Sequence, residues 1–135
     1  MLLAHHVSKN WTLPGGKVEH SEDPFDAAIR GVAGETGCDA VVECLLGVDS
    51  RVIPAAAPRA GVEQQNVGIF YQVRITGGRL RPEPNGETAK PVWTPIPDVA
   101  GLHRSSLVDV GLALARTVPA TGHVAPVQVG GLIQH

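Results

Sequence analysis

No stretch of this chain approaches the roughly 20 consecutive apolar residues that a membrane-spanning helix needs. Met1-Leu2-Leu3-Ala4 runs straight into His5 and His6, so the apolar core of a signal peptide is missing too. Cysteine is scarce: Cys38 and Cys44 are the only two, they make no CxxC pair, and they read as buried thiols rather than a disulfide framework. An excess of positive charge is also lacking, since 11 Lys and Arg against 13 Asp and Glu leave a formal net charge of -2. That excludes the broad basic surface used to bind nucleic-acid phosphates but leaves room for a small anionic ligand held by local charge. The expectation is a soluble, cytoplasmic chain with no membrane segment and no nucleic-acid partner. Internal repeats are absent.

What is present suits one compact domain: 135 residues, 43% of them hydrophobic. The expected domain covers residues 1–118, followed by a tail, 119–135, that mixes Val with Gly and Pro and whose order composition does not decide. Met1 to Ala4 reads as a short strand. Trp11-Thr12-Leu13-Pro14-Gly15-Gly16 reads as a tight loop, with Pro14 fixing its own backbone and two glycines permitting positive φ. Ser21 or Asp23 can cap a helix over about Pro24 to Thr36, with Phe25, Ile29, Val32 and Thr36 recurring at helical spacing and Gly37 placed to end it.

Ala40 to Ile53 and Asn66 to Thr76 are rich in β-branched residues and read as strands, joined through Pro54 to Gln65, a connection too long for a tight turn. Arg79-Leu80-Arg81 can continue the sheet, Pro82 to Gly86 interrupts it, and a short strand follows near Val92-Trp93. Trp93 reads as core. Ser105 or Ser106 caps a second helix that runs to about Thr117, with Leu107, Val108, Leu112 and Leu114 as its apolar residues.

One spacing stands apart. From Gly16 the chain reads Gly, five residues, Glu22, seven residues, Arg30, then Gly31-Val32-Ala33-Gly34-Glu35-Thr36-Gly37-Cys38. This resembles the Nudix box, G-x5-E-x7-R-E-U-x-E-E-x-G-U with U aliphatic. Gly16, Glu22, Arg30, Val32, Glu35 and Gly37 match, Cys38 is a tolerable apolar U, and Gly31 and Gly34 replace two carboxylates. With average residue frequencies, a pattern this close arises by chance in about one chain in three thousand of this length. Trp11-Thr12-Leu13-Pro14-Gly15-Gly16 is typical of the same family.

The resemblance implies an α/β (α+β) fold, a Nudix-type alpha/beta/alpha sandwich with a mixed central sheet. It also implies hydrolysis of the pyrophosphate bond in a nucleoside diphosphate derivative, a small-molecule nucleotide-type substrate, with Mg2+ or Mn2+ neutralising the phosphate oxygens. Carried over position by position, Glu35 is the remaining helix carboxylate for metal and catalysis, and Gly15 offers a backbone carbonyl. Gly16, Glu22, Arg30 and Gly37 brace loop and helix. Glu19 and Glu87 are the loop acids that could replace lost ligands, Glu87 lying where family members often place a metal-binding or water-activating acid; Glu63 could swing inward.

His5, Arg51 and Arg74 are the candidate substrate contacts, with Lys9 a further phosphate contact. Because adjacent strand residues face opposite sides, at most one of His5 and His6 can reach a cleft. His20, His103, His123 and His135 show no metal-ligand spacing and read as surface residues. Gly31 and Gly34 leave a second reading open: a weakened or inactive Nudix domain that binds a nucleotide or phosphate-bearing ligand without cleaving it. Family members usually carry a further strand before the segment that begins here. The edge it would cover invites pairing, so a homodimer is expected.

Overall fold

The computed structural model describes residues 1–6, 9–53, 62–84, 86 and 88–127. In chain order these form β1 (Leu2–His6), β2 (Trp11–Thr12), α1 (Pro24–Thr36), β3 (Cys38–Ile53), β4 (Gln64–Gly78), β5 (Thr88–Trp93), a 3-10 turn over Ile96–Gly101, and α2 (Ser106–Thr117). No described helix is long and apolar enough to cross a membrane.

The fold is α+β, as expected, and among the described residues its β structure forms two sheets. One has strand order β2-β1-β5 and the other is the β3-β4 pair. All named ladders are antiparallel, and the parallel component among the described residues is a bridge between Trp11 and Arg104. Successive residues of β1 face opposite sides, which makes this strand the centre of the sandwich. Leu2 packs with Val32 of α1 and with Cys38 and Ala40 of β3. Leu3, fully buried, packs with Val108 of α2 and with Val99. One helix therefore covers each face.

A third cluster joins Leu46 and Phe70 of the β3-β4 pair to Val110 and Leu114 of α2, and residues beyond α2 add Val124 and Val127 to it. Gly47 and Gly122 let those two backbones touch: a Cβ at Gly47 would collide with the Gly122 carbonyl, which accepts a hydrogen bond from the Val48 N–H at 2.8 Å.

Helix α1 begins and ends where local chemistry sets it. Of the two candidate caps, Asp23 is the one used, its carboxylate accepting from the Phe25 N–H at 2.8 Å. At the other end Gly37 adopts φ 79°, the left-handed conformation that closes a helix. The buried face differs from the apolar stripe read above. It consists of Ala27, Gly31, Val32 and Thr36, whereas Phe25 is 44% exposed and lies edge-on to Tyr71. Gly31 belongs to that face because, without a side chain there, the helix backbone can seat directly on the preceding loop.

Other expectations are corrected in detail. Gly15 and Gly16 do not use positive φ, which among the described glycines occurs at Gly37, Gly78 and Gly122. Residues 79–81 form no strand; they pack on the end of α1, where a Cβ on Gly37 would strike the Arg79 carbonyl. Trp93 is 53% exposed, because it occupies the last rung of the β1-β5 ladder, opposite Leu2. Both cysteines are free thiols, but Cys44 is exposed, on the outer side of a β bulge in β3.

Candidate active site

The Gly15-Gly16 loop lies against α1 so closely that a Cβ on Gly31 would come within 2.5 Å of the Gly15 carbonyl carbon and 2.7 Å of the Gly16 nitrogen. Position 31 is therefore filled by loop backbone. Gly34 is its opposite: exposed, with nothing within 4 Å of a Cβ. The loop is held from outside by Glu22 and Arg30. Arg30 donates to both Glu22 carboxylate oxygens, at 2.8 and 2.9 Å, and to the Lys17 carbonyl at 2.7 Å. That fork, with help from the Glu19 N–H, pulls the Glu22 carboxyl down to about 2.

Glu35 emerges one turn after Gly31 and reaches a cleft of about 300 Å³ lined by His6, Glu35, Glu83, Gly86 and Thr88. Its Oε1 accepts from the Gly15 N–H at 3.1 Å and its Oε2 from the Thr88 hydroxyl at 3.1 Å. The carboxylate thus ties together the loop, the helix and β5. Burial pushes its carboxyl above the usual range; the two hydrogen bonds oppose that shift, and the like charge of Glu83 adds to it.

Glu83 forms the facing wall. Its Oε1 accepts from the Thr88 N–H at 3.1 Å, and Gly86 folds so tightly over it that a Cβ there would overlap the carboxylate. Neither Glu83 nor Thr88 carries a motif in the sequence. They meet Glu35 only because the segment after β4 folds back over the end of α1.

The other expected site residues fall as follows. His5 packs against Trp11 in a tilted arrangement with ring centroids 4.5 Å apart, and His6, its neighbour in β1, takes the cleft position. Arg51 points to the start of α2, where it hydrogen-bonds Ser106 and meets Asp49 at 3.2 Å. Arg74 lies on the exposed side of β4 against Glu43, at 3.6 Å. Lys9, Glu19 and Glu63 are exposed and do not line the cleft. Glu87 lies outside the described residues, as does His135.

A divalent cation of the kind the resemblance implies would need several converging oxygen donors. Glu35 and Glu83 are donors of the right type. Both Glu35 oxygens already accept hydrogen bonds, however, and among the described residues no group of three or more His, Cys, Asp or Glu side chains could hold a metal. The described residues do not fit a tightly held resident ion.

Residues 1–110 match the NUDIX domain family. Two curated relatives each align with about two thirds of the chain or slightly less. An 8-oxo-(d)GTP phosphatase of Mycolicibacterium smegmatis is 33% identical over 87 residues, covering 64% of this chain and 24% of that protein. A Bacillus subtilis protein provisionally named an 8-oxo-dGTP diphosphatase is 35% identical over 83 residues, covering 62% and 48%. The chain thus spans about half or less of the length of either relative. Among solved structures, a NUDIX-family hydrolase from Clostridium perfringens superposes with a TM-score of 0.61 at 20% identity, covering 85% of this chain and 87% of that one, which supports the fold.

Proposed function

Since this chain belongs to the Nudix family, we propose that it binds a nucleoside diphosphate derivative in the cleft between Glu35 and Glu83 and hydrolyses its pyrophosphate bond. The observation that carries this reading is the state of Glu35. It is fixed in direction by two hydrogen bonds, and burial raises its affinity for a proton, which suits a carboxylate that takes a proton from attacking water. His6 is the basic side chain among the residues that line the cleft, and it suits a phosphate oxygen. The names of the two curated relatives make an oxidised guanine nucleotide the first substrate to try.

Mg2+ or Mn2+ belongs to this reading only as an ion carried in with the diphosphate, because the described residues supply too few ligands to retain one alone. Gly31 favours a second reading, binding without cleavage, since the place of one box carboxylate is occupied by the Gly15-Gly16 peptide. The expected homodimer stays part of the proposal; a monomer by light scattering at micromolar concentration would remove it.

Purified protein incubated with 8-oxo-dGTP, other nucleoside di- and triphosphates, ADP-ribose and dinucleoside polyphosphates, with Mg2+ or Mn2+, separates the readings when phosphate release and binding are measured together. Turnover that Glu35→Gln lowers by about 100-fold or more supports hydrolysis. Binding without turnover gives the second reading. Neither binding nor turnover across the panel rejects both.

A further inference from the structure

We infer that Arg81, outside the Nudix box, is the positioning residue that sets the width of the cleft. Its guanidinium donates to the Gly34 carbonyl at 2.9 Å and the Ala33 carbonyl at 3.0 Å, the two residues that immediately precede Glu35 in the last turn of α1. The nitrogen that binds Gly34 also reaches the Pro82 carbonyl at 3.1 Å, and the Arg81 N–H donates to the Thr36 carbonyl at 3.0 Å. One side chain therefore grips the last turn of α1 and the first residue of the segment that bears Glu83 and Gly86. Glu35 stands on one wall of the cleft and Glu83 on the other, so both walls hang from the same planar group.

Two features make Arg81 the natural residue for this task. The last turn of α1 holds no basic residue of its own, and Arg81 brings a positive charge to the negative end of its dipole, beside the backbone N–H groups of Gly37 and Arg81 that cap its carbonyls. And Gly37 allows the strap over residues 79–81 to lie directly on the helix end, since a Cβ there would overlap the Arg79 carbonyl and crowd the Arg81 side chain. A fork with several N–H groups in one plane can hold carbonyls from two segments at a fixed separation. A lysine, with one compact charge, can satisfy the helix end but not both segments.

The inference rests on the hydrolytic reading for its kinetic test and is independent of it in a second readout. Arg81→Ala and Arg81→Lys are compared with wild type and with Arg116→Ala, which removes a basic residue from the last turn of α2, away from the cleft. In the cleft variants kcat should fall roughly 10- to 100-fold, with a smaller change in KM, as expected for misplacement of a reacting group. Arg81→Lys should regain thermal stability but not kcat. Amide exchange at Glu83, Gly86 and Thr88, whose N–H groups are all bonded within this segment, should accelerate in both Arg81 variants while exchange within α2 stays unchanged. Wild-type kcat in Arg81→Lys, or exchange that rises uniformly over the whole chain, overturns the proposal. If wild type turns over no substrate, hydrolysis fails, and exchange alone decides the role of Arg81. Should Arg81→Ala not fold, Arg81→Lys carries both measurements.

Discussion

Glu35 is pulled in two directions, and each pull has a consequence at a different pH. Burial favours its protonated form, so the group adds stability that is fully present below its ordinary value of 4.5 and is lost as pH rises through the raised value. Glu35→Gln should therefore unfold at an equal or higher temperature than wild type at pH 7, with the difference gone below pH 4.5; a variant markedly less stable at pH 7 would contradict this. If Glu35 is the base, the acid limb of kcat/KM should have its midpoint above 4.5. Glu22 has the opposite sign. Its carboxyl is lowered to about 2 by Arg30, so its contribution is present above 4.5 and lost as pH falls toward 2. Thermal melts of wild type and Glu22→Gln should converge over that range.

The boundaries of α1 were legible in the sequence because they depend on neighbours in the chain: an Asp23 carboxylate two residues before the N–H it caps, Pro24 in the first turn, Gly37 at the end. The face it buries was not, because that depends on a peptide 15 residues away in sequence pressing on Gly31. The same distinction runs through the site. Glu35 could be found from the spacing of the box. Choosing His6 over His5 required the pairing of β1, and Glu83 entered only through the fold of residues 79–84 over the helix end. Arg51 and Arg74 were plausible by charge, but the acids facing them, Asp49 and Glu43, come from strand register and strand neighbours that charge alone does not reveal.

The two box glycines should therefore behave differently. Gly34→Ala meets open space and should stabilise the protein by about 1 kcal/mol through helix propensity. Gly31→Ala must push the loop away from the helix and should cost about 1–3 kcal/mol, the usual range for overpacking. Chemical denaturation of the two variants measures both. Equal effects would mean that the contact of loop and helix is looser than described.

At the scale of the whole molecule, β1 carries both halves of the sandwich, with Leu2 on the α1 side and Leu3 on the α2 side. Leu3→Ala should cost about 2–5 kcal/mol, the range for a fully buried leucine. Because that face belongs to α2 and not to the cleft, binding of a nucleotide by the folded fraction should be unchanged. Loss of binding in proportion to loss of stability would show that the two layers are not independent.

The seat of Gly31 on the Gly15-Gly16 peptide also constrains the order in which this site could change. A carboxylate at position 34 can be introduced in one step, since the space is open. One at position 31 first requires the loop to move, and the Glu22-Arg30 fork and the Glu35 bond to Gly15 resist that movement. The effect of a substitution at 31 should therefore couple to changes in the Glu22-Arg30 fork and the Gly15-Gly16 loop, whereas one at 34 should add independently of them. Position 34 is free to carry a side chain as the protein stands, whereas glycine at 31 is held in place by the loop that packs on it.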